Sequence, residues 1–315
     1  MRLVEEGIKP TIGGHEKFVF RYAWLKKGVD VLLKDATLFT NDEALVILGV
    51  GKNMVRSIRH WCLAAGLFEE TRGKKSGSNL QLTDLGRRMM ADDGWDPYLE
   101  DPGTLWLLHW QLASNSTRTL VWHLTFCAYH DTEFTKRQLT AFVSKQLERR
   151  QITTTIGAIE REIDVCLRTY ASTTRRTTAD GILEETLDCP LVELDLIRFF
   201  SEDNVYRFNI GGKATLPAEI FGYTLLKYLP KVIGTRRTVT VDECLYGDGS
   251  PGQIFKLDEN SIIEYLETME QLTDGRLRLQ ETAGLRQLYL EYETEEWFGS
   301  AALDLLDRHY AQPTS

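Results

Sequence analysis

Several sequence patterns that identify common enzymes are missing from these 315 residues. The chain has no Walker A motif, HExxH pair, G-x-S-x-G elbow, G-x-G-x-x-G loop or zinc-spaced set of Cys and His, so the corresponding ready-made chemistries are excluded. No apolar run of signal-peptide length follows a basic stretch at the amino end, which predicts a cytoplasmic protein without a membrane anchor.

Cysteine is scarce and scattered. The five residues form no CxxC pair, and an odd number of singly placed thiols does not indicate a disulfide framework. Free cysteine is usually buried, and we expect the same of all five thiols. They are Cys62, Cys127, Cys166, Cys189 and Cys244.

Acidic and basic residues are distributed unevenly along the chain. The net charge is −9 at pH 7, which by itself argues against a nucleic-acid partner. Residues 1–90, however, hold 15 Lys and Arg against 10 Asp and Glu, whereas residues 236–315 hold 7 against 16. This asymmetry predicts a cationic face near the amino end, suited to phosphates, and an acidic carboxyl-terminal part suited to protein contacts.

A helix, a turn and a second helix are predicted between Asn41 and Gly66. Asn41 is a good helix cap, and the turn Gly49-Val50-Gly51 ends the first helix. From Asn53 onward the apolar residues follow helical spacing, so one side of the second helix is expected to face the core. The opposite side is expected to expose Arg56, Ser57, Arg59 and His60, with Lys52 and Asn53 at the helix start.

Two strands, LFEET and NLQLTDLG, follow this helix and are joined by the basic turn RGKKSGS. Helix, turn, helix and hairpin together predict a winged helix-turn-helix, in which the second helix enters the major groove of DNA and flanking cations hold phosphates. Winged helices also serve as protein-protein modules, which is the competing interpretation. The predicted DNA-binding residues are Lys52, Asn53, Arg56 and Arg59 on the helix and Arg72, Lys74 and Lys75 on the hairpin.

Two later segments repeat this order of helices and strands. From Phe134, two amphipathic helices precede a strand pair around the turn SEDN, and from Thr238 a further helical stretch precedes GRLRLQETAGLRQLYLEY. The predicted fold class is therefore mainly α with short β hairpins, with three winged-helix-like units in tandem. We expect an amino-terminal DNA-binding domain over residues 1–95, a helical middle domain over 96–234 and an acidic interaction domain over 235–315.

Cations on the first helix of the middle domain form a candidate second DNA track. They would equally suit a solvated helix surface, and the sequence leaves both interpretations open. These residues are Lys136, Arg137, Lys145, Arg149 and Arg150. The corresponding helix of the third unit is acidic and is expected to avoid phosphate; it carries Glu259, Glu264, Glu267 and Glu270.

Hydrolysis of a phosphodiester usually needs clustered carboxylates, often with a histidine, that hold one or two divalent ions such as Mg or Mn. The string DPYLEDPGTLWLLHW contains such a set, and the candidate catalytic residues are Glu100, Asp101 and His109. In the alternative, Asp101 caps the following helix and His109 packs in the core. A second acidic pair, Glu160 and Asp164, is expected to form surface ion pairs, with a metal-binding pair as the alternative. The metal itself is unassigned.

Five strings in order resemble a bacterial protein family long known only as a domain of unknown function. They are RYAWLKKGVDVL, LGVGKNMVRSIRHWC, DPYLEDPGTLWLLHW, SPGQIFKLDENS and ETAGLRQLY. Members of this family are encoded beside DNA phosphorothioation genes, so the resemblance implies a role in replacing a non-bridging phosphate oxygen with sulfur on one strand. It also implies DNA nicking, and partners that include a cysteine desulfurase, an ATPase and an ATP-pyrophosphatase-like protein. It carries over no catalytic residue.

Three functions therefore stand as hypotheses. The first is a protein that binds double-stranded DNA within a phosphorothioate modification and phage-defence system, and nicks or positions one strand for sulfur insertion. The second is a non-catalytic scaffold that recruits the modification proteins through its acidic carboxyl-terminal part. The third is a transcriptional regulator of the gene cluster, since winged-helix character alone would suffice for that role.

Overall fold

The computed structural model describes residues 10–35, 37–40, 43–72, 78–171, 189–282, 284–291 and 294–311. Helices dominate this part of the chain, and its strands form small antiparallel sheets. The expected class, mainly α with short β hairpins, is confirmed to that extent. The described residues group into two compact units, one within Met1–Thr125 and Glu133–Arg207 and the other within Phe126–Thr132 and Phe208–Ser315.

The first unit begins with helices followed by a hairpin, in the order that the sequence predicts. Helix α3 starts at Lys52, one residue earlier than the apolar spacing indicated, and the Asn41 cap lies outside the described residues. The elements are α1 (Tyr22–Lys34), α2 (Glu43–Leu48), α3 (Lys52–Ala64), β1 (Phe68–Arg72), β2 (Ser78–Leu82) and α4 (Asp84–Met90).

Helices α1 and α3 approach closely because Gly28 lies on the side of α1 that faces α3. A Cβ atom at Gly28 would lie 2.5 Å from the Sγ of Cys62. Ile58, Trp61 and Cys62 of α3 are all fully buried. The apolar side of α3 therefore faces the core, as its helical spacing predicted.

The remainder of the first unit contains a helix that is buried on most sides, α5 (Pro102–Ser114), as expected for its nearly continuous apolar sequence. Proline at its first position is suited to a helix start because it has no N–H group to satisfy. The other elements are α6 (Leu120–His123), β3 (Glu133–Phe134), α7 (Lys136–Arg149), α8 (Ile156–Tyr170), β4 (Ile197–Phe200) and β5 (Val205–Phe208). Short 3-10 turns cover Leu38–Thr40 and Pro190–Leu194, and a π-helical turn covers Leu124–Ala128.

In the second unit, a long helix packs against the carboxyl-terminal helix. A Cβ atom at Gly222 would lie 2.7 Å from the Cδ1 of Leu305, which shows how close the two helices are. The elements are α9 (Ala218–Ile233), β6 (Thr238–Thr240), α10 (Val241–Tyr246), α11 (Pro251–Phe255), α12 (Glu259–Leu272), β7 (Leu277–Thr282), β8 (Leu285–Leu290) and α13 (Glu295–Ala311).

Two of the sheets have the same topology. In the orders β3-β5-β4 and β6-β8-β7, a strand that precedes the helices pairs with the second strand of the hairpin that follows them. The predicted recurrence of helices and hairpin is therefore present from Glu133 and from Thr238. Helix α9 groups with the carboxyl-terminal elements because it packs against α13, and the second compact unit therefore takes in Phe208–Ser315. The expected domain bounds stay a prediction.

Candidate nucleic-acid interface

Helix α3 presents a narrower polar face than its sequence pattern indicated. Its exposed polar residues in the first two turns are Lys52, Asn53 and Arg56. Ser57 and His60 were expected on the same face but are buried. The Ser57 hydroxyl donates a hydrogen bond to the carbonyl oxygen of His15 at 2.9 Å, because the loop before α1 covers this side of the helix.

The buried His60 ring carries no charge at neutral pH. It faces Gly14, where a Cβ atom would lie only 2.3 Å from the ring Nδ1. Burial, with smaller contributions from His15, Arg118 and Arg59, lowers the pKa of His60 to about 3. His60 is therefore a neutral core group and contributes no cation to the interface.

Both arginines of α3 are paired with carboxylates. Arg56 Nη1 lies 3.4 Å from Glu16 Oε1, and the Arg56 side chain is 57% exposed. Arg59 Nη2 lies 2.5 Å from Glu70 Oε1 on β1, while Arg118 pairs with the other Glu70 oxygen. Pairs near the surface contribute only about 0–1 kcal/mol each, so a phosphate would meet modest competition from them.

The hairpin cations lie largely outside the described residues. The backbone of Arg72 pairs with Ser78 across β1 and β2, which places Arg72 at the last pair of the ladder before residues 73–77. Nothing is described of the Arg72 side chain or of Lys74 and Lys75. Their contact with DNA stays a prediction.

Helix α7 carries exposed cations along one broad side, namely Arg137, Lys145 and Arg149. Within the described part of the chain, no carboxylate forms an ion pair with these three. The other two residues of the predicted second track are engaged locally: Lys136 Nζ lies 2.5 Å from Asp164 Oδ1, and Arg150 donates to the side-chain oxygen of Gln146 at 2.9 Å. Asp164 thus takes part in a surface ion pair, as expected.

A depression of about 330 Å³ lies beside the first turn of α3 and is lined by basic side chains that the sequence did not single out. They are Lys17, Arg21 and Arg168. Arg168 is on α8, far from α3 along the chain, and no local pattern connects it with the helix-turn-helix. Lys17 and Arg21 flank an apolar segment that the spacing assigns to packing.

The carboxylates before α5 stabilise the local backbone. Asp101 Oδ1 accepts a hydrogen bond from the backbone N–H of Gly103 at 2.7 Å and caps α5. The buried Asp96 accepts from the N–H groups of Glu100 and Asp101 at 2.8 and 3.0 Å. Both acidic side chains are therefore occupied as hydrogen-bond acceptors, as helix caps and tight turns require.

His109 lies fully buried on α5 and shares a hydrogen bond of 2.8 Å with the hydroxyl of Tyr170. Among the described residues, no three His, Cys, Asp or Glu side chains come together in a group that could hold a metal ion. The structure thus does not assemble Glu100, Asp101 and His109 into a metal site. It places Asp101 as a cap and His109 in the core, which was the alternative interpretation.

All five cysteines are buried and free, as expected. Burial raises the pKa of Cys127, Cys189 and Cys244 to about 12, so these thiols are not nucleophiles at neutral pH.

Within the described residues, none of the helices is both long and apolar enough to cross a membrane.

Residues 12–310 match a protein family described as "Protein of unknown function (DUF4007)". The chain belongs to this family. No curated protein matches it.

Two solved structures resemble the chain over nearly its full length, and they make it an SspB-like protein. The structure described as "SspB crystal structure" is 28% identical in sequence with a TM-score of 0.83, covering 96% of this chain and 88% of that chain. The structure described as "Magnesium ion-bound SspB crystal structure" is 29% identical with a TM-score of 0.85, covering 98% and 90% respectively.

Proposed function

We propose that this protein is the DNA-binding component of a DNA phosphorothioate modification system and that it holds double-stranded DNA against the exposed side of α3. The observation that carries the proposal is the position of the cations on α3. Lys52 and Asn53 are exposed at its start, and Arg56 is exposed one turn later. The order α1, α2, α3, β1, β2 supports a winged helix-turn-helix, in which this helix presents its first residues to base edges in the major groove.

The likeness to SspB and the family resemblance support the assignment to phosphorothioation. On that basis the expected partners are double-stranded DNA and three proteins of the same system, a cysteine desulfurase, an ATPase and an ATP-pyrophosphatase-like protein. The cytoplasm, where these enzymes and the chromosome meet, is the proposed location.

The existing ion pairs of α3 are compatible with DNA binding. Arg56 is more than half exposed, and its contact with Glu16 is long at 3.4 Å. Each phosphate that is neutralised releases condensed counterions from the duplex, which supplies most of the non-specific binding free energy. An exposed arginine can therefore exchange a carboxylate for a phosphate with a net gain in binding free energy.

We further infer that the protein nicks one strand or positions it for sulfur insertion. One SspB structure contains a magnesium ion, and Mg²⁺ is commonly held by one or two carboxylates together with water and substrate phosphates. The described residues contain no group of three candidate ligands, so they do not fit a closed site built from protein alone. No catalytic step through a metal follows from them.

The acidic second unit supports an additional role in recruiting partner proteins. Helix α12 exposes a row of acidic side chains, namely Glu259, Glu264, Glu267 and Glu270. Such a surface repels phosphate and attracts a basic protein surface. A scaffold function would use this surface while α3 holds DNA.

The DNA-binding proposal is tested by the double variant Arg56→Ala/Arg59→Ala in a duplex-binding titration. We expect at least a tenfold loss of affinity at about 0.1 M salt. The slope of the logarithm of the binding constant against the logarithm of the salt concentration should also become shallower by about 0.9 for each phosphate that is no longer neutralised. The matched control is Arg286→Ala/Arg308→Ala in the second unit, where the two side chains are 50% and 48% exposed. Unchanged affinity of the α3 variant would remove the proposal.

Nicking is tested with supercoiled plasmid in the presence of Mg²⁺ or Mn²⁺. We expect relaxed circles that disappear when a chelator is added, and no loss of nicking in Asp101→Ala, because Asp101 caps α5. A nuclease-free preparation that leaves the plasmid supercoiled with either ion would contradict autonomous nicking and leave strand positioning as the role.

A further inference from the structure

Three basic side chains converge on the depression beside α3. Lys17 and Arg21 come from the loop before α1, and Arg168 comes from the last turn of α8. Within the described residues, no carboxylate forms an ion pair with any of the three, and Glu16, which also lines the depression, is paired with Arg56. The depression therefore carries excess positive charge in a concave surface.

Arg21 has a donor without an acceptor. Its Nε atom is buried and has no hydrogen-bond partner among the described residues, while its guanidinium carbon lies 5.3 Å from the centre of the Trp24 ring. Leaving a buried donor without a partner is unfavourable, and more so when the group is charged. Arg21 also lines the depression, so an oxyanion there lies beside this guanidinium group.

The loop that presents Lys17 is held in an unusual backbone conformation. Glu16 and Lys17 have φ values of +49° and +71°, in the left-handed region that is unfavourable for a residue with a side chain. The Lys17 N–H donates to His15 Nδ1 at 3.1 Å, and its carbonyl oxygen accepts from Arg168 Nη2 at 3.0 Å. His15 in turn lies 3.1 Å from Glu162 on α8. Helix α8 therefore both supplies one cation and fixes the loop that supplies another, as expected where strain serves a functional site.

The first turn of α3 adds to the positive potential. Its N-cap, Gly51, has no side chain that could accept from the first N–H groups, and the first turn contains no acidic residue. A helix start without a side-chain cap, together with the helix dipole, favours an anion at this end. Asn53 brings this turn into the lining of the depression.

We propose that this depression binds one backbone phosphate of the DNA strand that passes the amino end of α3. Arg21 and Arg168 supply guanidinium N–H groups suited to phosphate oxygens, and Lys17 supplies a point charge. On Arg168 the Nη1 edge is the one left for phosphate, because Nη2 and Nε donate to the carbonyl oxygens of Lys17 and Asp164. The inference rests on the proposed DNA-binding function and adds a fixed phosphate clamp to it. The clamp sets the register of α3, so that the neighbouring Asn53 meets a defined base.

The test uses a short duplex in which one phosphate at a time is replaced by an uncharged methylphosphonate. At one position we expect the wild-type protein to lose about tenfold in affinity. Lys17→Gln is expected to bind the unmodified duplex about tenfold more weakly and to be insensitive to the substitution at that position, because an interaction that is already absent cannot be removed a second time. Arg168→Gln is expected to behave in the same way, and Lys17→Arg to retain wild-type binding.

Lys34→Gln is the matched control, since Lys34 ends α1 about 20 Å along the helix from Arg21. Thermal melting establishes that each variant is folded. If Arg56→Ala/Arg59→Ala weakens binding but Lys17→Gln and Arg168→Gln do not, the clamp is overturned and the proposed function stands. If none of them weakens binding, both are overturned.

Two further outcomes would overturn the clamp. The first is that Lys17→Gln weakens binding but shows the wild-type response to every methylphosphonate, so that its charge acts only at long range. The second is that inorganic phosphate or a 5′-mononucleotide displaces the duplex at micromolar concentration, which would identify a free anion as the ligand of the depression. Competition only at concentrations far above those of the duplex supports a backbone phosphate.

Discussion

Neutralising Glu70 should strengthen DNA binding, whereas removing its partner Arg59 should weaken it. Glu70 on β1 pairs with both Arg59 and Arg118, so one carboxylate occupies two guanidinium groups beside the exposed face of α3. The variant Glu70→Gln keeps the size of the side chain and removes its charge. The variant therefore keeps both arginines in the protein but removes the carboxylate charge that competes with phosphate for them.

The size of the effect follows from the geometry. A phosphate oxygen that accepts from the far edge of the Arg59 guanidinium lies about 6 Å from the Glu70 carboxylate. Repulsion between unit charges at about 6 Å is about 0.7 kcal/mol in a medium like water and about 2.8 kcal/mol at an effective dielectric constant of 20. The Arg59 and Glu70 side chains are 31% and 27% exposed, and salt screens them further. We expect Glu70→Gln to bind duplex DNA about three- to tenfold more tightly at 0.1 M salt.

The assay is a fluorescence anisotropy titration of a labelled duplex at several salt concentrations. Glu69→Gln is the control, because it removes the same charge from the adjacent position of β1, where side chains point to the opposite face. An equal gain for Glu69→Gln would show that net charge alone is responsible. Equal or weaker binding by Glu70→Gln would refute the idea that the Arg59 pair competes with phosphate.

Three further expectations concern stability, measured by urea unfolding. Gly86→Ala should destabilise the first unit by about 1 kcal/mol or more, because the added Cβ atom would lie 2.3 Å from the Leu67 carbonyl oxygen. Gly299→Ala, whose Cβ atom would have nothing within 4 Å, should instead stabilise the protein by up to about 1 kcal/mol. Effects of the same sign for the two variants would contradict this expectation. His60 binds a proton below about pH 6.5 in the unfolded state but only below about pH 3 in the folded state, so the free energy of unfolding should fall on acidification. His60→Gln should lower the slope of the free energy of unfolding against pH by up to about 1.4 kcal/mol per pH unit between pH 6 and 5. Equal slopes for the variant and the wild type would disprove this expectation. Asp101→Ala should cost about 1 kcal/mol through loss of the α5 cap, and no loss would show that the cap is unimportant.

The secondary structure was largely predictable from local patterns. The apolar spacing of α3, the Asp101 cap of α5 and the polar turn between β4 and β5 all depend on residues within one or two turns of each other. Such patterns favour the same local structure wherever the segment packs. The boundary between the compact units was not predictable in this way, because the packing of α9 on α13 joins distant segments.

The candidate interface was predictable only in part. Sequence placed Lys52, Asn53 and Arg56 on an exposed helix face, and they are exposed. It also placed Ser57 and His60 there, but the loop around His15 covers them. Helical periodicity alone cannot detect this cover, because it describes one helix and contains no information about a loop that packs on it.

The composition and the order of residues along the chain were enough to place excess positive charge near the amino end and to specify the helices and hairpins. They also indicated that the cysteines would be isolated, buried side chains. Which cations remain available to phosphate is a property of the folded chain. Lys17 and Arg168 meet beside α3 through a hydrogen bond across 151 positions of sequence separation, and Arg59 is paired by a strand that follows it. Charge interactions act through space over a few ångströms, so pairing and exposure follow from tertiary neighbours that no local pattern specifies.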